Sequence, residues 1–178
     1  MVTGALLLAA CASASDCEQG RCATPEGQAD IARAQAAGPY DFPALTGRVV
    51  DAADLLDAVQ EARLTADSAA LERETGHQFV IVTVPSLGAH AIEDYGIALG
   101  NQWGIGRAKE DDGVLLIVAP NERKVRIEVG CGLEETLTDE EAADIMAQHI
   151  LPAFREGDFP AGIAAGAASI ETEIGPET

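Results

Sequence analysis

Four carboxylates stand at the ends of strand-like segments or in the loops beside them. Asp51 follows Val49 and Val50, Asp111 and Asp112 precede the apolar run Val114 to Ala119, and Glu134 follows the alternating segment Lys124 to Val129. Carboxylate oxygens are hard ligands that suit Ca²⁺, Mg²⁺ or Mn²⁺, so these four are the candidate metal-ligating residues. Adjacent Asp111 and Asp112 repel one another unless solvent or a cation screens them, and Gly113 lets the backbone approach a bound ion closely. The competing reading is a solvated acidic turn. Spacing alone favours that reading, because the residues do not form a twelve-residue EF-hand loop closing on a bidentate Glu.

Other chemistry has less support. His77 and His90 flank the segment that begins at Phe79 and read as solvated loop residues, while His149 lies near the apolar side of a helix and reads as a packed core residue. Ser86, His90 and Asp94 make no triad, since local spacing does not build one and no GxSxG elbow is present. Gly104 with Gly106 and Gly130 with Gly132 fall short of a dinucleotide fingerprint and are expected to serve turns. Cys131 lies in the loop after Val129, where packing is the expected role and a reactive lone thiol near a metal loop the alternative.

The elements that must position these groups follow from periodicity. Val114 to Ala119 is continuously apolar, as in a central strand covered on both faces. After a turn opened by Pro120 and Asn121, Val125, Ile127 and Val129 alternate with Lys124, Arg126 and Glu128, which predicts a hairpin with one half-exposed strand. Phe79 to Val84 is a second apolar strand, and Thr46 to Asp51 a short extended one. A helix is expected with Leu55, Leu56, Val59, Ala62, Ala66 and Ala69 or Ala70 on one stripe, ended by Gly76. Ile92, Tyr95, Leu99 and Trp103 mark a second, in which Gly96 and Gly100 imply either close packing or a marginal helix. Thr138 and Glu141 form a capping box for a third, with Ala142, Ile145, Met146 and Ile150 inward and Pro152 interrupting it. Ala161 to Glu171 is the last helix expected. The order predicts an α/β fold, with a mixed sheet of about four strands between helical layers.

The segments DDGVLLIVA and VRIEVGCGLEETLTD resemble the second half of a TPM domain. LTGRVVDAADLL and FVIVTVPSLGAHAIEDYGIALGNQWGIG are similar to its first half, and LPAFREGDFPAGI to its closing segment. The resemblance implies an αβα sandwich over residues 42–174. It also implies calcium binding around acidic loops, which raises the metal reading of Asp51, Asp111, Asp112 and Glu134 above the solvated turn. Some members are described as acid phosphatases, and a carboxylate-held metal could polarise a phosphoryl oxygen or activate water. No arginine or nucleophile motif independently supports that activity. Cys131 stands where many TPM domains carry an aromatic residue.

The chain has 178 residues and a formal net charge of -19, from 30 acidic against 11 basic residues. That charge argues against a nucleic-acid partner, whose phosphates would be repelled. Residues 1–11 end in Leu8, Ala9, Ala10, Cys11, which resembles the site at which bacterial lipoprotein signals are cut, although no Lys or Arg precedes Arg21. Cys11 is therefore the lipidation candidate, and the run is too short to span a bilayer. Cys17 and Cys22 are either joined across EQGR or free thiols. Residues 12–41 are poor in large apolar side chains and are expected to be a flexible tether. The chain ends in IGPET, without the C-terminal transmembrane helix of some relatives, so a lipid is expected to hold it. The combined expectation is an exported, lipid-anchored TPM domain of the cell envelope. It would bind a divalent cation, most simply Ca²⁺, and serve a membrane protein complex as an accessory module; a metal-dependent phosphomonoesterase is the alternative.

Overall fold

The computed structural model describes residues 40–176; Cys11, Cys17, Cys22, the signal-like segment and most of the expected tether lie outside the described residues. One mixed sheet is built in chain order from β1 (Val49–Asp51), β2 (Gln78–Thr83), β3 (Gly113–Ala119) and β4 (Lys124–Val129). The first three strands are parallel and β4 is antiparallel to β3. Every residue of β3 is buried, as its unbroken apolar sequence demands, whereas in β4 only Ile127 is fully covered.

Helix α1 (Ala58–Thr75) starts where the Asp57 carboxylate accepts the Val59 and Gln60 N–H groups, and Gly76 ends it at φ 86°. Its inward stripe is Leu64, Ser68 and Leu71, not the predicted one. Val59 is 77% exposed, because alanine-rich spacing left the helix's rotation undetermined. Ser68 tolerates full burial because its hydroxyl donates to the Phe79 carbonyl.

Helix α2 (Ile92–Trp103) buries Ile92, Tyr95 and Leu99, the predicted face. Its glycines mark close packing: a Cβ on Gly96 would stand 3.0 Å from Ile117 Cδ1, and one on Gly100 3.3 Å from Leu115 Cδ1. The Thr138–Glu141 capping box opens α3 (Asp139–Ile145). A π turn, Met146–Ile150, then passes the chain to α4 (Leu151–Glu156). Pro152 does not break the path, because it lies in the first turn of α4, where no N–H is required. Gly157 ends α4 and Asp158 caps α5 (Phe159–Glu173).

The sheet separates two cores, giving the expected αβα sandwich. One face packs Phe79, Ile81, Leu116 and Val118 against Leu64 and Leu71 of α1, Ile145 of α3 and Ile163 and Ile170 of α5. The other packs Val80, Val82, Leu115 and Ile117 against α2. The chain steps from β1 to β2 to β3 in one direction, yet α1 covers one face and α2 the other. The two crossovers therefore have opposite hands, although about 98% of such connections are right-handed. Among the described residues no helix is long and apolar enough to cross a membrane.

Candidate functional site

The sequence around Gly106–Arg107 and Asp111–Asp112–Gly113 folds into a tight knot at the amino end of β3. Asp111 N donates to the Arg107 carbonyl at 2.7 Å, and Gly106 N to Gln78 Oε1 at 2.9 Å. Arg107 turns back on Asp112: its backbone N–H reaches Oδ1 at 2.8 Å and its Nε reaches Oδ2 at 2.7 Å. Asp112 is 3% exposed. Burial alone would raise its carboxyl, but hydrogen bonds from the Arg107 side chain and backbone, with the guanidinium charge, hold it below the usual carboxylate range.

The loop after β4 locks onto the same knot. Asp111 has φ 48°, accepts Cys131 N on Oδ2 at 3.1 Å and accepts Gly132 N on its carbonyl at 3.0 Å. A methyl on Gly132 would lie 1.8 Å from the Glu110 carbonyl oxygen, and one on Gly130 2.2 Å from that of Asp111. These glycines exist for close backbone approach rather than for turns. Beyond them Glu134 is pushed above the ordinary glutamate range by partial burial, then by the negative charges of Asp139 and Asp111. Asp111, Glu134 and Asp139 thus share one electrostatic neighbourhood.

Asp51 stands at the other end of the sheet. It is in register with Thr83, and Thr83 with Val118. The five residue steps along β3 from Gly113 to Val118 put about 16 Å between the two ends. The Asp51 carboxylate accepts Leu55 N at 3.1 Å, Leu56 N at 2.7 Å and the hydroxyl of the fully buried Thr83. Here the β1–α1 and β2–α2 connections leave toward opposite faces, the arrangement beside which α/β sheets generally bind ligands.

The structure therefore places Asp111 and Glu134 within electrostatic reach of one another, commits Asp112 to Arg107 and leaves Asp51 apart. Among the described residues no three His, Cys, Asp or Glu side chains gather closely enough to hold a metal. A cation between Asp111 and Glu134 would complete its shell with water or backbone oxygens, as Mg²⁺ commonly does. Sequence reasoning missed Arg107, Asp139 and Thr83. An arginine five residues before a buried aspartate in a glycine-rich loop was the available signal for the first.

Several other side chains take different roles from those expected. His149 is exposed, because the π turn rotates it away from the core. His77 is tied by Nδ1 to the Ile174 carbonyl at 2.9 Å, and His90 packs on Tyr40 with ring centroids 4.1 Å apart. Neither is a freely solvated loop residue. Ser86 donates to Glu122 rather than to a histidine. Cys131, the one cysteine among the described residues, is disulfide-bonded, which removes the reading of a lone reactive thiol.

Taken together, a four-stranded mixed sheet between helical layers, with glycine-packed acidic loops at the amino end of its central strand, defines a small α/β sandwich domain. The sequence profile of the TPM domain matches residues 49–173, and the chain belongs to that family. The N-terminal domain of a protein from P. gingivalis is similar at 33% identity and TM-score 0.68, over 72% of this chain and 82% of that one. The N-terminal domain of a Corynebacterium glutamicum protein shares the fold at 17% identity and TM-score 0.59, over 78% and 87%. A protein from the psychrophilic bacterium Bizionia argentinensis does so at 17% identity and TM-score 0.59, over 68% and 82%. No curated protein matches the chain.

Proposed function

We propose that this TPM domain is a cation-responsive accessory module of the cell envelope, anchored through a lipid on Cys11 and acting on a membrane protein complex. The cation, Ca²⁺ by preference, binds between Asp111 and Glu134, with Asp139 adding charge. Asp112 is no ligand in this reading; it holds Arg107 and so fixes the backbone that presents Asp111. The observation that carries the proposal is the locking of the loop after β4 onto Asp111 through the Cys131 and Gly132 N–H groups, which sets Glu134 where burial, and then the pressure of the Asp139 and Asp111 charges, push its carboxyl up. A divalent ion would relieve that pressure, and Asp111 is already fixed by its own backbone and side-chain hydrogen bonds.

A metal-dependent acid phosphatase is the second reading, favoured by the divergence of the two connections beside Asp51 and Thr83. A cation on Asp51 there would polarise a phosphoryl oxygen.

The test is the thermal midpoint of the metal-stripped protein with and without Ca²⁺. A ligand at about one hundred times its Kd adds about 2.7 kcal/mol. For a domain of this size that is about 5–11 °C. The accessory reading expects this rise to vanish in Asp111→Asn with Glu134→Gln and to persist in Asp51→Asn. Loss in Asp51→Asn alone, with turnover of p-nitrophenyl phosphate by the wild type, would transfer the site to Asp51. No shift with Ca²⁺, Mg²⁺ or Mn²⁺ would overturn both readings.

A further inference from the structure

Cys131 is disulfide-bonded, and no other cysteine stands among residues 40–176. The chain has four cysteines, and the remaining three are Cys11, Cys17 and Cys22. A cysteine forms one disulfide, so the partner of Cys131 is one of those three. With a lipid on Cys11 that sulfur is a thioether and cannot pair. That leaves Cys17 and Cys22, both of which precede Tyr40, the first described residue. Either pairing excludes a bond between these two across Glu18 to Arg21.

The described end of this link is rigid. Cys131 N donates to Asp111 Oδ2 at 3.1 Å, and Gly132 N to the Asp111 carbonyl at 3.0 Å. Gly130 and Gly132 leave no room beside the Asp111 and Glu110 carbonyls, and Leu133 is buried just beyond them. Tyr40 joins the fold at the opposite end of the sheet. Its ring centroid lies 4.1 Å from that of His90, in the turn before α2, and 4.8 Å from that of Phe42, which meets Tyr95 edge-on at 4.9 Å. The 12 residues of α2, about 18 Å long, separate the two ends. Extended, residues 22–40 reach about 60 Å, so the link asks for no movement of the domain.

We infer that a disulfide from Cys131 to Cys17 or Cys22 staples the N-terminal segment to the loop that carries Glu134, and that this bond turns the acidic end of the domain toward the membrane. Bond formation takes two protons and two electrons from the two thiols and passes them to a protein disulfide of the oxidising compartment, which is reduced to a dithiol. The consequence is one of distance. Measured from a lipid on Cys11, a domain tethered only through Tyr40 can stand about 100 Å away, with the carboxyl end of its sheet leading. Through Cys17 or Cys22 the acidic loop is held within about 20 or 40 Å. The choice of Cys17 or Cys22 and the orientation rest on the lipid-anchor reading of Cys11, whereas a bond from Cys131 to the N-terminal segment does not.

The experiment is peptide mapping of the full chain, exported to an oxidising compartment, alkylated with N-ethylmaleimide on lysis and digested with trypsin without reductant. Cleavage after Arg21, Arg33, Arg126 and Arg155 puts Cys17, Cys22 and Cys131 on separate peptides. The Cys131 peptide, residues 127–155, is expected to be linked to that of Cys17 or Cys22 and released by reduction. Cys131 alkylated without reduction, joined to Cys11, or paired with Cys131 of a second copy would overturn the inference. The same digest reads the lipid: its absence from Cys11 would overturn the anchor reading and the orientation and leave the bond standing. Orientation is measured by energy transfer from Trp103, the one tryptophan of the chain, to a dansyl lipid in vesicles carrying the lipidated protein. Trp103 ends α2 at the same end of the sheet as Cys131. Most of the transfer should be lost on reduction and in Cys131→Ser, which keeps the backbone N–H that Asp111 accepts. Circular dichroism of Cys131→Ser matching wild type shows that the fold has survived. Transfer unchanged by reduction and by Cys131→Ser would overturn the orientation.

Discussion

Arg107 donates to Asp112 three times, from its backbone N–H to Oδ1 at 2.8 Å and from Nε and Nη2 to Oδ2 at 2.7 and 2.5 Å, across only five residues of chain. The loop is thereby closed on itself before β3 begins. Everything that converges at this end of the sheet, from Gln78 to Gly132, rests on that closure.

Replacing Asp112 by Asn keeps one acceptor but loses the charge that all three Arg107 donors address. Hydrogen bonds to charged groups are worth about 1.5–3 kcal/mol. The lower end applies, because the Arg107 side chain is 47% exposed and solvent screens it. The pH dependence carries a sign that can be checked. Asp112 titrates below its unfolded value, so its stabilisation is fully present above the ordinary aspartate range and is lost as pH falls through the folded value. Urea unfolding of Asp112→Asn from pH 7 to pH 2 should show a shallower loss on the acid side than wild type.

Gly132→Ala tests the weld between the two acidic loops. Its Cβ would meet the Glu110 carbonyl at 1.8 Å, a backbone atom that no rotamer change can clear. A loss of about 3 kcal/mol or more is expected, at the top of the range for overpacking. Gly47→Ala is the control, since nothing lies within 4 Å of its Cβ. It should fall within about 0.5 kcal/mol of wild type by chemical denaturation.

Thr83 supports the other end of the sheet by acting in both directions: its hydroxyl donates to Asp51 and accepts Ala53 N at 2.9 Å. Valine of nearly the same shape would leave a backbone N–H and a carboxylate oxygen short of partners. Thr83→Val should cost about 1–3 kcal/mol. Hydrogen exchange at Ala53, Leu55 and Leu56 should accelerate while amides of β3 stay protected, because the damage is confined to the loop that Asp51 organises.

The sheet was legible because β2 and β3 are apolar without a break and β4 alternates, patterns that leave few other solutions. The capping boxes at Asp57 and Thr138 differ in this respect. The latter was visible as Thr138 with Glu141, whereas the former uses Gln60 and was hidden in a polar run. Helix α1 was misrotated because its alanines carry little facial information and its true anchor, Ser68, is polar. The candidate site was half legible. Carboxylates at loop positions could be named, but which end of the sheet each occupies depends on parallel pairing, and that separated Asp51 from Asp111. Asp112 looked like a ligand because nothing in one dimension shows an arginine folding back over five residues.

Glu171 provides a check of opposite sign to Asp112. Its folded value, about 7, lies above the ordinary glutamate value, because burial and then Asp67 disfavour the charged form. Between the unfolded and folded values the native state holds a proton that the unfolded chain has released, so stability falls as pH rises through that window. The penalty is complete above about pH 7 and absent below the unfolded value. Glu171→Gln removes the titration and keeps the shape. Its thermal midpoint should match wild type near pH 4, exceed it at pH 8, and diverge progressively between. Midpoints that differ by a constant amount across that range would show that the Glu171 carboxyl titrates alike in the folded and unfolded chains, and that its burial is relieved by solvent.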